Sequence, residues 1–404
     1  MKKWIALLVF MACAVTGAGA QVARVQPVTL SELKRQMPER LQMTVTTKDG
    51  DTIAVDAPVY LPDADTMPVI LVQRATFDTT ALHDVFPFPK YYSQEYSKGE
   101  LQSMLDDDHP GSLSLWLYAE EKRYLLYGVA AGRTRDYLPL GEAPPENGVT
   151  VDEIMAFIGE NIRRFGCDTQ PDLRVIKANA MTGQYGTKKF KTPEGWTEET
   201  IDTKNPVKNG SKGLWYLDLA QYMHNIRIFG DYLPYGSYLT PENSHDWYSP
   251  IDLYVRYLDD QSFNVGLLFV KEAGILTEDA PLLSYDSLVE ALQNRMREGK
   301  LHSIYQLSLG YSVKIVKGDS FYNDADTGFN PDTRYVLVPE WEILGFDEKN
   351  VNDAKSVGLD APTREMVLEP ERYSRYGLTY DVRMNASTGD FILDEAATEY
   401  DLGD

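Results

Sequence analysis

The chain has 404 residues, 43% of them hydrophobic and 25% charged, and carries a formal net charge of −22. That balance belongs to a folded chain of two or three domains, not to a disordered one. The excess of acids excludes a nucleic-acid binder, which must neutralise phosphates, and it repels anionic lipid.

The N-terminus reads as a secretory signal peptide over residues 1–20. Lys2 and Lys3 precede an apolar run from Trp4 to Val15, and Ala18-Gly19-Ala20 places small residues before a cleavage at Gln21. The run is too short to span a bilayer. Phe10-Met11-Ala12-Cys13 is an imperfect lipid-attachment site, so a lipid anchor at Cys13 is the alternative to simple release. Either way the expected location is extracytoplasmic, secreted or held at the cell surface. With Cys13 gone from the released chain, Cys167 is alone and no intrachain disulfide can form. Cys167 is expected to act as a small buried hydrophobe at a helix end.

Residues 26–140 read as a β-rich module. A short helix, Val28–Met37, has Thr29 or Ser31 as its cap. Strands Leu41–Thr47 and Thr52–Tyr60 alternate and are joined by Asp49-Gly50, a strong hairpin signal. Met67–Val72 is a further strand. Tyr91–Leu105 is aromatic at first and then helical. Leu113–Ala119 and Arg123–Ala130 pair across Glu120-Glu121-Lys122, and Gly141–Gly148, with Pro144-Pro145, is the linker.

Residues 149–272 read as a helix followed by antiparallel strands. Thr150 caps the helix with Glu153 three residues on, and Ile154, Phe157, Ile158, Ile162 and Phe165 form its apolar face. Strands are expected at Leu173–Ala178, Leu214–Leu219 and Ile226–Phe229, with an exposed polar loop over Lys188–Lys212. Ile251–Leu258 and Phe263–Val270 form a hairpin. Ala273–Pro281 is a connector.

Residues 282–395 repeat that order. Ser287 and Glu290 fit a capping box for a helix to Arg297, with Leu288, Leu292 and Met296 on one face and Gly299 as its stop. A half-buried strand follows at Ser303–Val316, then a strand at Arg334–Ile343. Asp347–Pro362 is a polar loop. Tyr380–Ile392 is a hairpin whose turn, Asn385–Gly389, lets Gly389 take positive φ. The expected fold class is therefore α+β: antiparallel sheets each backed by a single helix, in two similar units, behind an N-terminal β-rich module.

The closing run Tyr380-Asp381-Val382-Arg383-Met384-Asn385-Ala386-Ser387-Thr388-Gly389-Asp390-Phe391-Ile392 is similar to the terminal hairpin of PepSY and YycI-type domains. Tyr335-Val336-Leu337-Val338-Pro339-Glu340-Trp341 resembles the valine-proline-x-tryptophan strand of YycI-type regulators and of a family of secreted proteins and lipoproteins from Gram-positive anaerobes. The order of elements matches over about Leu283–Leu393. Val151–Phe165 and Leu214–Arg227 echo the first half of the same domain more weakly. The resemblance implies an α+β envelope domain with an inhibitory, regulatory or binding role, and it carries over no catalytic residue.

The usual reactive constellations are missing from the sequence. His224 and His245 are far apart, and no paired-Cys or paired-His zinc motif occurs. Asp324-x-Asp326-x-Gly328-x-Asn330-x-Asp332 alternates oxygen ligands as a calcium loop does, with Asp324, Asp326, Asn330 and Asp332 as ligands. It lacks the glycine and the bidentate glutamate of an EF-hand, and the competing reading is a solvated loop. Calcium is the one cofactor the sequence suggests; no other is expected. There is no nucleophile elbow, and Gly128–Gly132 lacks the lysine of a phosphate loop. Tyr232, Tyr235, Tyr238, Trp247 and Tyr248 could line a binding groove, beside Asp231, Glu242 and Asp246. The expected function is a non-catalytic binding or regulatory protein of the bacterial envelope. Its partner would be a protein or peptide, with no nucleic acid, and with membrane contact only through lipid at Cys13. The alternative is a secreted hydrolase that uses paired carboxylates on glycan or peptide.

Overall fold

The computed structural model describes residues 27–75, 100–102, 113–118, 125–131, 136–141, 149–164, 166–184, 187–192, 195–200, 214–229, 252–259, 262–319, 333–356, 362–368, 381–392 and 399–402. Helix α1 spans Leu30–Gln36 and begins as its sequence requires. The Glu32 amide donates to Thr29 Oγ1 (3.2 Å), and the Glu32 carboxylate accepts from the Thr29 amide (2.9 Å). The Thr29 amide first, and then the Thr29 hydroxyl, hold the Glu32 carboxyl below its ordinary value. Their stabilisation is therefore present at neutral pH and is lost as pH falls through that lowered value. Leu30 and Leu33 turn inward and are fully buried.

Strands β1 (Arg40–Thr46) and β2 (Thr52–Tyr60) form the expected hairpin, with Gly50 at φ 92° in the turn. Then come β3 (Val69–Arg74), β4 (Glu100–Gln102), β5 (Leu113–Tyr118), β6 (Leu125–Ala131) and β7 (Asp136–Gly141). Of the stretch expected to be helical up to Leu105, the described part is strand β4; the remainder lies outside the described residues.

Helix α2 (Val151–Arg164) is capped by Thr150, whose amide donates to Glu153 Oε2 (2.8 Å). Five strands follow: β8 (Asp172–Gln184), β9 (Thr187–Thr192), β10 (Gly195–Thr200), β11 (Leu214–Met223) and β12 (Ile226–Arg227). The expected loop after Lys188 instead contains the β9–β10 hairpin. Its lysines and threonines look like loop composition, yet threonine and the aromatics Phe190 and Trp196 suit a pleated strand.

Next are β13 (Asp252–Asp259), β14 (Ser262–Leu268) and β15 (Val270–Thr277). The expected connector from Ala273 is thus part of a strand, paired with β3. Helix α3 covers Tyr285–Arg297, and its cap is Ser284, not Ser287: the Ser287 amide donates to Ser284 Oγ (3.3 Å). Strands β16 (Leu301–Val316) and β17 (Arg334–Asp347) are the longest pair. Residues 348–356, expected to loop out, form helix α4 (Glu348–Ser356). Asp347 Oδ1 accepts from the Asn350 amide (2.9 Å), so the acid ends the strand and starts the helix. Helix α5 (Arg364–Leu368) and strands β18 (Asp381–Asn385), β19 (Phe391–Ile392) and β20 (Glu399–Tyr400) complete the order.

Two large sheets result, antiparallel-rich and each backed by helix, so the fold is α+β. The first is nine-stranded with the path β1-β2-β16-β17-β18-β19; β3 joins β17 and β15, and β20 joins β16. Two of its contacts, β16 with β2 and β16 with β20, are short and parallel. The second sheet is also nine-stranded, β4-β5-β6-β14-β13-β11-β8-β7, with β12 on β11. The stretch 26–140 therefore supplies β1–β3 to the first sheet and β4–β7 to the second.

One apolar cluster joins both sheets to α1, α2 and α3, through residues such as Leu33, Ile158, Leu217, Leu292 and Trp341. Trp215 Nε1–H donates to the Val149 carbonyl (2.7 Å), which ties the start of α2 to β11. The chain crosses from the second sheet to the first at Phe269, which is fully buried. Gln221 secures that crossing. Its side-chain amide donates to the Val270 carbonyl (2.5 Å) and accepts from the Val270 amide (3.0 Å), as a neighbouring strand would. Gln221→Leu should leave both groups buried without partners. The expected loss is about 1–3 kcal/mol in unfolding free energy, read by urea denaturation.

Candidate functional site

Strand β17 has two faces because side chains alternate along it. Tyr335, Leu337, Trp341 and Ile343 enter the main core. On the opposite face Val336 and Val338 begin a second apolar cluster, and then Glu340 and Glu342 follow. These two acids are 0% and 3% exposed. Register sets their neighbours: Glu340 lies between Gly310 on β16 and Asn385 on β18, and Glu342 between Ser308 and Arg383.

Removing a carboxylate from water costs several kcal/mol unless a cation and hydrogen bonds replace the solvent. Here the cations are present. Lys314 Nζ lies 2.7 Å from Glu340 Oε1. Arg383 and Arg227 reach Glu342 at 3.1 and 3.6 Å. Both guanidiniums also sit on the Phe229 ring, 4.5 Å (Arg383) and 5.3 Å (Arg227) from its centroid. The ring has room because β16 has glycine beneath it: a Cβ on Gly310 would come within 2.6 Å of the ring and 2.7 Å of the Arg227 carbonyl. The Phe229 amide donates to the Tyr311 carbonyl (2.8 Å), and Ile228 bridges Tyr311, so the segment after β12 is laid along the edge of β16. Tyr311 itself is buried and donates its hydroxyl to the Pro68 carbonyl (2.8 Å). Burial, and then the charges of Asp279 and Glu272, push its phenol far up, so it remains a neutral donor.

This arrangement clamps β12, β16, β17 and β18 together. Both acids are engaged by cations and shielded from water, which suits holding strands in register more than transferring protons to a substrate.

The edges of the first sheet are the other candidate surface, and they differ. Strand β15 is blunted: its pairing with β3 is interrupted by two bulges, and its exposed acid Glu272 is paired with His224 (2.7 Å). Lys271 pairs with Asp168 beside it. Strand β1 has no bulge, and its one charge, Arg40, pairs with Asp56 (2.7 Å). Its seven residues pair with β2 without a break in register. The Val59 amide donates to the Glu39 carbonyl (2.9 Å) and the Thr47 amide to the Asp51 carbonyl (2.8 Å), which fixes the phase of the ladder. Leu41, Met43 and Val45 therefore spend their main-chain groups on β2, and those of Arg40, Gln42, Thr44 and Thr46 point outward. Pro58, opposite Arg40, sits where the ladder needs no amide from it. Among the described residues no strand pairs with the outer side of β1.

The residues singled out in the sequence fall elsewhere. Tyr232, Tyr235, Tyr238, Trp247 and Tyr248, with Asp231, Glu242 and Asp246, lie outside the described residues, as do Cys13 and Asp324, Asp326, Asn330 and Asp332. The base of that acidic loop is described: Asp319 accepts from the Arg334 guanidinium (2.8 and 3.0 Å) and amide (2.9 Å). The guanidinium bonds chiefly hold the Asp319 carboxyl below its usual range. Among the described residues no group of three His, Cys, Asp or Glu side chains is placed to hold a metal ion. Cys167 is half-buried and packs against the core just past α2; burial pushes its thiol up, away from the reactive thiolate. The clamp was missed by sequence reasoning. Its trace is the alternation Val338-Pro339-Glu340-Trp341-Glu342-Ile343, which places two acids on one face of a strand between apolar residues in sequence.

No family model matches the chain, and no curated protein matches it. Among solved structures it is similar to an uncharacterized protein from Eubacterium rectale ATCC 33656, with a TM-score of 0.44 and 12% identity over 90% of this chain and 96% of that one.

Proposed function

We propose that this chain is a non-catalytic binding or regulatory protein of the bacterial envelope, exported with residues 1–20 as its signal peptide, which engages a protein or peptide through the edge of its first sheet. The observation that carries this reading is strand β1: an unbulged strand that has no neighbour on its outer side among the described residues, with outward amides and carbonyls placed for addition of an extended segment. The clamp supports it from the other side, since Glu340 and Glu342 are occupied by Lys314, Arg383 and Arg227. The PepSY/YycI-like order of elements after Leu283 points to the same compartment and the same class of role.

The test is to titrate the mature chain with a library of extended peptides of alternating apolar and polar residues while following amide hydrogen exchange. Slowed exchange confined to Arg40, Gln42, Thr44 and Thr46 is the expected result. Turnover of a glycan or peptide that disappears in Glu340→Gln or Glu342→Gln would move the protein into the hydrolase class instead.

A further inference from the structure

Strand β1 is complementary to itself, and we propose that a second copy of this chain pairs with it, antiparallel, about a two-fold axis at Met43. This rests on the reading that β1 is an open, strand-accepting edge, and it names the occupant.

The argument is one of register. Among the described residues, the main-chain groups of β1 that face away from β2 belong to Arg40, Gln42, Thr44 and Thr46. An antiparallel partner centred on Met43 sets Arg40 against Thr46 of the other copy, and Gln42 against Thr44. Each outward-facing residue then meets another outward-facing residue, so all four positions on each strand are satisfied at once. That gives four hydrogen-bonded pairs and about eight main-chain bonds. Moving the axis by one residue to Gln42 or Thr44 keeps the phase but loses overlap at one end. The side chains agree with the same axis. Leu41 meets Val45 of the other copy and Met43 meets itself, which extends the buried row of Leu41 and Val45. Gln42 and Thr44, both exposed and uncharged, meet on the other face.

Charge decides between this and a chance resemblance. The strand contains one charged residue, Arg40, in a chain with 61 acids. In the proposed register Arg40 faces Thr46, and its guanidinium is already held by Asp56 (2.7 Å). No like charges oppose one another across the joint, although the whole molecules repel. Two seven-residue strands also bury less surface than a permanent dimer requires. The association is therefore weak, and salt strengthens it by screening the net charge.

Sedimentation of the mature chain across a micromolar concentration range, at low and high salt, reads the outcome. The expected result is a monomer–dimer equilibrium that shifts toward dimer at high salt. Exchange at the amides of Arg40, Gln42, Thr44 and Thr46 should slow as the dimer fills, with those of Leu41, Met43 and Val45 unchanged. Gln42→Lys with Thr44→Lys places like charges across the joint and should return the monomer. Gln42→Lys with Thr44→Glu places opposite charges there and should restore the dimer at least to the wild-type extent. Both positions are exposed, so the fold is unaffected, and equal melting temperatures check this. A chain that is monomeric under all these conditions overturns the inference, and so does a dimer indifferent to the paired lysines. Either result leaves the peptide titration to decide the broader reading. A charge-switchable dimer that ignores every peptide would sink that reading alone.

Discussion

Replacing Lys314 by alanine is expected to lower the unfolding free energy by about 3–5 kcal/mol, the range for removing one partner of a buried ion pair. The reason is asymmetric. Lys314 is 7% exposed and Glu340 is 0% exposed, so the lost ammonium cannot be replaced by bulk water. Replacing both, Lys314→Met with Glu340→Leu, removes the two desolvation costs together. That double variant should be near wild type or more stable by up to about 4 kcal/mol. Urea denaturation of the two singles and the double forms a cycle whose coupling energy isolates the pair. A loss below about 1 kcal/mol for Lys314→Ala would mean that the pair is solvated, contrary to its burial.

Gly310→Val should be the second severe change, with a loss of about 3 kcal/mol or more, at the upper end for overpacked sites. A Cβ at this position would lie 2.6 Å from Phe229 Cζ, 2.9 Å from its Cε2 and 2.7 Å from the Arg227 carbonyl. The ring could move, but the carbonyl belongs to the backbone laid along β16. If Phe229 is driven off, Arg227 and Arg383 lose the surface that positions them over Glu342. A Phe229→Ala background distinguishes ring from backbone. Gly310→Ala should become cheaper there if the ring is the obstacle, and stay costly if the carbonyl is. Gly345 is tighter still against backbone, since its Cβ would overlap the Ser303 carbonyl oxygen.

The clamp and the edge raise different selection problems for one sheet. Its interior bears charges that must be matched individually, because an unmatched one costs more than most single contacts contribute. Its rim bears main-chain groups that water satisfies equally well, until another strand arrives. The rim at β15 carries two bulges and a paired acid; the rim at β1 carries one arginine. That contrast is why strand addition is placed at β1.

Some of this was legible before any coordinates. The cap at Thr150, the Asp49-Gly50 hairpin and the Asn385–Gly389 turn each depend on bonds within a few residues, and each formed as read; of the two caps expected for α1, Thr29 and Ser31, the structure uses Thr29. Where the reading failed, a local rule had two solutions. Ser284 and Ser287 both suit an N-cap, and the choice went to Ser284. Ala273–Pro281 has the composition of a connector, but its first part is recruited as a strand by β3. Strand β16 was read as half-buried; with Leu309, Gly310 and Tyr311 all buried, it is covered on both faces.

The sequence by itself determined the capped starts of α1 and α2, the turns at Asp49-Gly50 and Asn385–Gly389, and the apolar faces of α2 and α3, because spacing and short-range hydrogen bonds decide those. Only the tertiary structure decided that β3 leaves its neighbours to lie between β15 and β17, that Glu340 and Glu342 meet Lys314, Arg383 and Arg227, and that among the described residues no strand pairs with the outer side of β1. Those outcomes depend on which distant strands satisfy one another's main-chain groups and charges, and strand pairing is not written in the spacing of any one segment.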